Sequence, residues 1–434
     1  MRRFLLLLLP IVSMAQEKWS LQECVQLGIT NNLTVQQNQL LAKQSQILHT
    51  QSRLSVLPNT SASISQGANW GRSIDPTTNQ FVTQQLEFQS VDMGASLNVF
   101  SGFSTQNTIK QNALLTQATQ QDIQQAKDQL TLNITLAYLQ VLSNEDLLEI
   151  TRKQAEVTRQ QIERTQSLVE IGSLSPNNLI DLKSQLANDE LSITSATNTL
   201  KIARLQLVQL MNVPYKGDFQ LERNNLDQQA VRSLEVSAEQ IFGQAQSRFA
   251  AVKAADLRIQ GADKGLLAAK GRMYPTLTLN GYLSTRYSNT SVLEYNKQLE
   301  ANLFKYVSLD IRIPIFNGFQ NRARWQTAVI SKQLAEVSSQ NTRMQLRQGV
   351  ETAHVNAEVS LERYRAVEKQ VLALEETFQS VENRYNAGLL NVFDYNVAKT
   401  NLDRARQNLI QSRYEYYYRT KVLDFYQGRS ITEP

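Results

Sequence analysis

Hydrophobic positions along the chain keep two rhythms, and the change from one to the other happens twice at the same short motif. At Phe100-Ser101-Gly102-Phe103, and again at Phe316-Asn317-Gly318-Phe319, strict alternation gives way to steps of three and four. Alternation marks a strand with one apolar face, and steps of three and four mark an amphipathic helix. Each motif is therefore a strand-to-helix joint. Gly102 and Gly318 lie 216 positions apart, so the joint is duplicated.

The elements around the first joint follow from the same reading. From Trp19 to about Leu57, Leu21, Val25, Ile29, Leu33, Leu40, Ile47 and Leu54 stay near one face of a helix that Pro58 ends. Residues 60–71 alternate, with Ala62, Ile64, Ala68 and Trp70 opposite Ser61, Ser63, Ser65 and Asn69. Gly71 to Gln89 reads as an exposed polar loop containing Asp75-Pro76. A second strand over residues 90–100 sets Val91, Met93, Ala95, Leu97 and Val99 against Asp92, Gly94, Ser96 and Asn98. Such a pair fits a membrane-spanning hairpin, and equally a soluble hairpin with one face on a core.

Beyond Gly102 neither glycine nor proline occurs until Gly172, and Ile123, Ala126, Leu130, Ile134, Ala137 and Val141 keep helical steps. Residues 102–171 are thus expected as one helix of about 70 residues, roughly 105 Å long at 1.5 Å per residue. Gly172-Ser173-Leu174-Ser175-Pro176 breaks it, with glycine suited to the C-cap and proline to the first turn of a return helix over 176–212. Residues 213–237 carry no sustained pattern and read as a connector.

The order then repeats. A helical pattern runs from Val236 to Met273, Pro275 matches Pro58, and strands are expected near 276–287 and 305–316 with a polar loop, Ser288 to Phe304, between them. The last strand places Val307, Leu309, Ile311, Ile313 and Ile315 against Ser308, Asp310 and Arg312. The second long helix, 318–387, carries Val350, Ala353, Ala357, Tyr364, Val367, Val371, Leu374, Phe378, Val381 and Tyr385 at nearly heptad spacing, which implies a left-handed coiled coil with a neighbour. Gly388 breaks it, a return helix follows over 391–427, and a short tail closes the chain. The sequence therefore divides into a leader (1–15), a first repeat (16–235) and a second repeat (236–434), in a mixed, mainly α fold class.

Four amphipathic strands in one chain leave two unpaired edges, which a membrane cannot tolerate because no water there satisfies the backbone. Chains would have to share a barrel, and inward polar residues Asp92, Asp310 and Arg312 favour a wide, water-filled one. In each half two shorter helices together match the length of one long helix, which suits a helical tube of even height continuing from the barrel. A mutual ion pair of Asp310 and Arg312 across adjacent chains is the alternative use of those charges.

Composition sharpens this picture mainly by exclusion. Arg2 and Arg3, the apolar run Phe4 to Val12 and Ser13-Met14-Ala15 form a secretory-signal pattern. Without it the net charge falls from +5 to +3, too little for a nucleic-acid partner. Cys24 is the only cysteine, so no intrachain disulfide or multi-cysteine metal site can form. It reads as a buried helix residue. Lipid attachment is the alternative, opposed by Glu23 where a lipoprotein signal wants a small residue. His49 and His354 stand alone, and no Ser, His and acid set, phosphate loop or metal-spaced cluster is present, so the sequence points to no enzyme and no cofactor.

With the duplicated order in place, the chain resembles the TolC-like outer-membrane efflux proteins. The resemblance rests on the repeat, on Pro314-Ile315-Phe316-Asn317-Gly318 as the strand-to-helix joint (Asn98 replacing the proline in the first copy), and on Arg384-Tyr385-Asn386-Ala387-Gly388-Leu389-Leu390-Asn391-Val392-Phe393-Asp394, which is similar to the family's helical-hairpin tip. It implies a homotrimer with a twelve-stranded barrel in outer-membrane lipid, a twelve-helix periplasmic tunnel, and docking onto a periplasmic adaptor and an inner-membrane pump.

Site residues follow from that resemblance and from exposure. Gly172, Ser173, Leu174, Gly388, Leu389 and Leu390 form the expected tip and docking surface. Tyr385, Asp394, Asn178 and Asp181 are the candidate gate. Leu390 stands where the best-known members carry a gate arginine, Val397 where they carry a second aspartate, and Asn178 where the first repeat would carry an acid, which leaves apolar packing to close the tip. Phe100, Gly102, Phe316 and Gly318 mark the joints. The expected function is a passive exit duct for small molecules. A structural or adhesive coiled-coil envelope protein is the alternative.

Overall fold

The computed structural model describes residues 18–75, 77–215, 217, 219–223 and 236–431. The leader (1–15) and the part of the connector at 224–235 lie outside the described residues. The described chain is mainly helical with one four-stranded sheet. It forms two compact units, and each takes a segment from both sequence repeats. One comprises the residues up to Asn38, Ile123–Ala250 and those from Arg343 onward; the other comprises Gln39–Asp122 and Ala251–Thr342.

The first unit opens on a short strand, β1 (Lys18–Trp19), which pairs in parallel with β6 (Gln220–Leu221) from the connector region. The helix expected over Trp19 to Leu57 is two helices, α1 (Leu21–Asn31) and α2 (Leu33–Leu54). Asn32 separates them in an extended conformation, its Oδ1 accepting from the Thr34 and Val35 amides at 2.9 and 3.3 Å. Asparagine competes for backbone groups in this way, so it ends one helix and begins the next. The second repeat shows the same correction. The expected helix from Val236 to Met273 is α5 (Ala238–Arg248) and α6 (Ala250–Gly271), broken at Phe249, whose ring lies 5.6 Å from Phe425 and 5.9 Å from Tyr426. Both first helices start on a capping box, Ser20 with Glu23 and Ser237 with Gln240.

Two uninterrupted helices of 67 residues, α3 (Ser104–Glu170) and α8 (Gln320–Asn386), follow the joints. Their return partners are α4 (Pro176–Leu210) and α9 (Val392–Gln427). The largest core of the first unit gathers Leu21, Val25, Ile134, Val141, Leu142, Leu207 and Met211. Cys24 is buried there, and burial pushes its thiol pKa up to about 12, so it stays a neutral, inert thiol.

In the second unit, β2 (Asn59–Asn69), β5 (Leu86–Phe100), β7 (Thr276–Ser288) and β8 (Phe304–Arg312) form one antiparallel sheet in the order β2-β5-β7-β8. Three expectations change here. The loop Gly71 to Gln89 contains a small hairpin, β3 (Ser73–Ile74) with β4 (Phe81–Val82), and β5 starts earlier than expected, at Leu86. The loop Ser288 to Phe304 contains α7 (Tyr295–Ala301), which buries Gln298 so that its amide bonds Ser288 and the Leu293 carbonyl. The fourth strand stops at Arg312 instead of 316: Arg312 faces Thr276, the first residue of β7, and Pro314 has no amide with which to extend the ladder.

Candidate functional site

Three places hold the residues the sequence singled out: the ends of the helical hairpins, the polar face of the sheet, and the joints. At the hairpin ends Gly172 and Gly388 both take left-handed backbone, with φ of 76° and 75°. The amide of Gly172 donates to the Val169 carbonyl and that of Ser173 to Leu168; Gly388 and Leu389 repeat the pattern on Tyr385 and Arg384. This is the double hydrogen bond of a Schellman turn, which needs glycine because a Cβ disfavours positive φ. The return helices then start on side-chain caps. Ser175 Oγ accepts from the Asn177 amide at 3.4 Å ahead of Pro176, and Asn391 Oδ1 accepts from the Asp394 amide at 2.8 Å.

The four candidate gate residues have different surroundings. Tyr385 is buried, its ring stacked 4.9 Å from that of Tyr395 in a cluster with Leu182 and Val392. Asp394 is exposed in the first turn of α9, where a carboxylate favours the helix N-terminus. Asp181 is exposed and Asn178 half-buried near the start of α4. Ser173 and Leu389 are exposed, while Leu174 and Leu390 are half-buried. Ile171, Ile180 and Phe393 add exposed apolar surface at these ends that sequence reasoning missed, although each is a large apolar residue within a few positions of a helix break.

A second feature was also missed. Lys399, only 4% exposed in its side chain, places Nζ 2.7 Å from Asp403 and 3.6 Å from Asp189. Asp189 also accepts from Thr158 Oγ1 at 2.6 Å and Gln185 Nε2 at 2.8 Å, so the node ties α3, α4 and α9 together. Burial raises the Asp403 pKa and the nearby Asp189 charge adds to that, while Lys399 opposes both. The signal was in the sequence: Lys399 falls in the buried stripe Val392, Tyr395, Leu402, Ala405, where a lysine requires partners.

On the sheet, alternation sorts the side chains as expected. Ile64, Met93, Val307, Leu309 and Ile311 are exposed on one face. The other face carries the expected polar residues. Asp92 accepts from the hydroxyl of Tyr282 and, at 2.7 Å, from Ser284. Asp310 accepts from the Asn280 amide and, at 3.0 Å, from Ser308. Strands β2 and β8 form the two edges, each paired on one side only.

The joints are duplicated in detail. Gly102 and Phe103 have φ of 62° and 63°, and Gly318 and Phe319 have φ of 62° and 60°. Phe100 and Phe103 meet edge to face at 5.3 Å, as Phe316 and Phe319 do at 5.6 Å. Among the described residues no helix is long and apolar enough to cross a membrane, and no group of three or more His, Cys, Asp or Glu could hold a metal.

Long paired helices are thus joined through repeated left-handed turns to an open antiparallel sheet with one exposed apolar face. The family model described as outer membrane efflux protein matches residues 241–429. The outer membrane protein TolC of Vibrio cholerae is 24% identical over 305 residues, which cover 69% of this chain and 68% of that protein. TolC of Escherichia coli is 23% identical over 307 residues, 68% of this chain and 61% of its own length. The fold matches solved structures of CusC (TM-score 0.81, 17% identity, covering 95% of this chain and 92% of that one) and of the Campylobacter jejuni CmeC outer membrane channel (TM-score 0.78, 15% identity, 95% and 87%). Residues 241–429 thus match the outer membrane efflux protein family, and the chain as a whole is similar in sequence to the outer membrane protein TolC and shares the fold of outer-membrane channels.

Proposed function

We propose that three copies of this chain assemble into one passive exit duct, which carries small molecules delivered by a periplasmic adaptor and an inner-membrane pump out through the outer membrane. Residues 1–15 serve as the export leader, and the two repeats, 16–235 and 236–434, supply equivalent halves of each wall. The strands form a shared twelve-stranded barrel, with Val307, Leu309 and Ile311 toward lipid and Asp92, Asp310 and Arg312 toward the water-filled lumen. Gly172, Ser173, Leu174, Gly388, Leu389 and Leu390, with exposed Phe393 beside them, form the surface on which the adaptor docks. Tyr385, Asp394, Asn178 and Asp181 surround the constriction that opens when the partners engage. The duct has no reaction to catalyse.

The observation that carries this reading is a sheet with an exposed apolar face and two unpaired edges, in one chain with two 67-residue helices. A soluble coiled-coil envelope protein has no use for such a sheet. The test is single-channel recording in planar bilayers with purified oligomer, wild type and with Tyr385 or Asp394 replaced. Stepwise conductance that rises in the variants supports the duct, and an oligomer that never conducts, even with the tip loosened, sinks it.

A further inference from the structure

The two strand-to-helix joints share their backbone geometry and their edge-to-face phenylalanine pair, but they differ in charge. Arg322 and Arg324, at the start of α8, stand where α3 carries Gln106 and Thr108, at the offset of 216 that relates Gly102 to Gly318. Arg272, the first residue past α6, stands where Ser55 follows α2, at the offset of 217 that relates Pro58 to Pro275. The first joint adopts its geometry without these arginines, so the backbone does not require them. All three are exposed, and they meet at one place: the Asn321 side-chain amide donates to the Arg272 carbonyl at 2.9 Å, which holds the start of α8 against the end of α6.

The elements packed there bring no carboxylate. No Asp or Glu occurs over residues 24–74, 93–121, 264–293 or 311–335, which contain α2, the end of α6, the starts of α3 and α8, and both joints. The acids that flank the second joint in sequence are already engaged: Asp310 accepts from Asn280 and Ser308, and Asp263 from Lys332 at 2.9 Å. Beside the arginines lies apolar surface. Ile315, Phe316 and Phe319 are 95%, 76% and 63% exposed, and they follow the exposed apolar series Val307, Leu309, Ile311 and Ile313.

We propose that Arg272, Arg322 and Arg324 form a site for the phosphate of anionic phospholipids in the periplasmic leaflet of the outer membrane. This inference rests on the reading of the chain as an outer-membrane duct and adds a headgroup site to it. Exposed aromatic rings suit the boundary between hydrocarbon and headgroups, and cations just beyond them meet the phosphates. The guanidinium fork matches phosphate oxygens two at a time, which favours arginine over lysine there. On the same reading, the place that α6 fills beside Gly102 falls, beside Gly318, to α2 of a second copy, and its acid-free stretch brings no counter-charge either. Each basic residue at an anionic surface strengthens binding roughly fivefold.

The test uses the full chain purified from outer membranes in non-ionic detergent, with native mass spectrometry measuring bound phosphatidylglycerol and, in parallel, phosphatidylcholine. Wild type is expected to hold phosphatidylglycerol at least about tenfold more tightly. The triple variant Arg272→Gln, Arg322→Gln, Arg324→Gln should lose that preference, and lysine at the same three positions should keep most of it. Arg53→Gln with Lys110→Gln, which removes cations from the elements of the first joint, should leave it unchanged. Should the triple glutamine variant fail to assemble, the three single glutamine variants carry the test: each is expected to lower the preference about twofold to fivefold, and three unchanged singles overturn the site. Equal affinity of wild type for the two lipids, or a preference that survives the triple glutamine variant, also overturns it. So does a glutamine variant whose lipid preference is intact while its pore shifts toward cations in planar bilayers, since the arginines would then line the lumen. Lipid binding without preference sinks only the headgroup site, whereas protein that fractionates away from the outer membrane and binds neither lipid sinks the duct reading as well.

Discussion

A Cβ placed on Gly102 would lie 2.1 Å from the carbonyl oxygen of Gly271 and 2.8 Å from Cβ of Tyr274, whereas one placed on Gly318 would meet nothing within 4 Å. The duplicated joints thus share backbone geometry and differ in their neighbours. The first turns against the end of α6 within its own chain, and the second has open space beside it. Gly318→Ala is expected to cost about 1–2 kcal/mol from the left-handed backbone alone. Gly102→Ala adds a backbone collision and should cost more, reducing folded, membrane-inserted protein further. Heat stability and outer-membrane yield of the two variants, compared side by side, check the order.

The Lys399 node makes a second prediction. Replacing Lys399 with Met leaves Asp189 and Asp403 buried without their cation, which typically costs about 3–5 kcal/mol. The triple variant Lys399→Met, Asp189→Asn, Asp403→Leu removes the stranded charges and should recover much of that loss. A triple variant no more stable than Lys399→Met in chemical denaturation would contradict this account.

Asp403 also sets a pH dependence. Its pKa in the folded protein is raised by burial, so between its unfolded value and that higher one the folded state holds more protons than the unfolded state. Stability therefore falls as pH rises through the window just above the ordinary carboxylate range. Asp403→Asn should remove that slope. Melting temperatures from pH 4 to 7, wild type against variant, read the difference directly.

The rings of Tyr385 and Tyr395 are stacked and buried, yet neither hydroxyl has a hydrogen-bond partner among the described residues. A buried unpaired hydroxyl is a cost, so Tyr395→Phe should be neutral or stabilising by up to about 1–3 kcal/mol. Tyr395→Ala removes the ring from the cluster and should lose about 3–5 kcal/mol. Destabilisation by the phenylalanine variant would mean that the hydroxyl bonds a group in the assembled protein.

Cys24 gives a simple probe of the first unit. Its buried thiol, pushed up to about 12, should resist iodoacetamide at pH 8 in the folded protein and react once denaturant opens the core. Fast labelling of native protein would show that the α1 region opens locally.

Much of the architecture was legible in the chain because it is periodic. Alternation placed the strands, a long stretch without glycine or proline placed α3 and near-heptad spacing placed α8, and Gly172, Gly388, Pro176 and Asn391 marked their ends through backbone rules that act over a few residues. The family resemblance was carried by the same local signals and their duplication. What the pattern could not show were breaks that leave the helical rhythm intact. Asn32 keeps the helical rhythm of its neighbours yet is held extended by its own side chain, and Phe249 is held by Phe425 and Tyr426, far along the chain. The same holds for Lys399 and Tyr385. Periodicity assigns each to a helix face, but only packing brings Asp189 and Asp403 to the lysine and Tyr395 to the tyrosine. The sequence by itself determined the order, type and duplication of the elements, since those depend on local backbone preferences and on which face is apolar. The tertiary structure decided strand register, the asymmetry between the Gly102 and Gly318 joints and the buried ion node, because these depend on atoms that meet only after distant segments have packed.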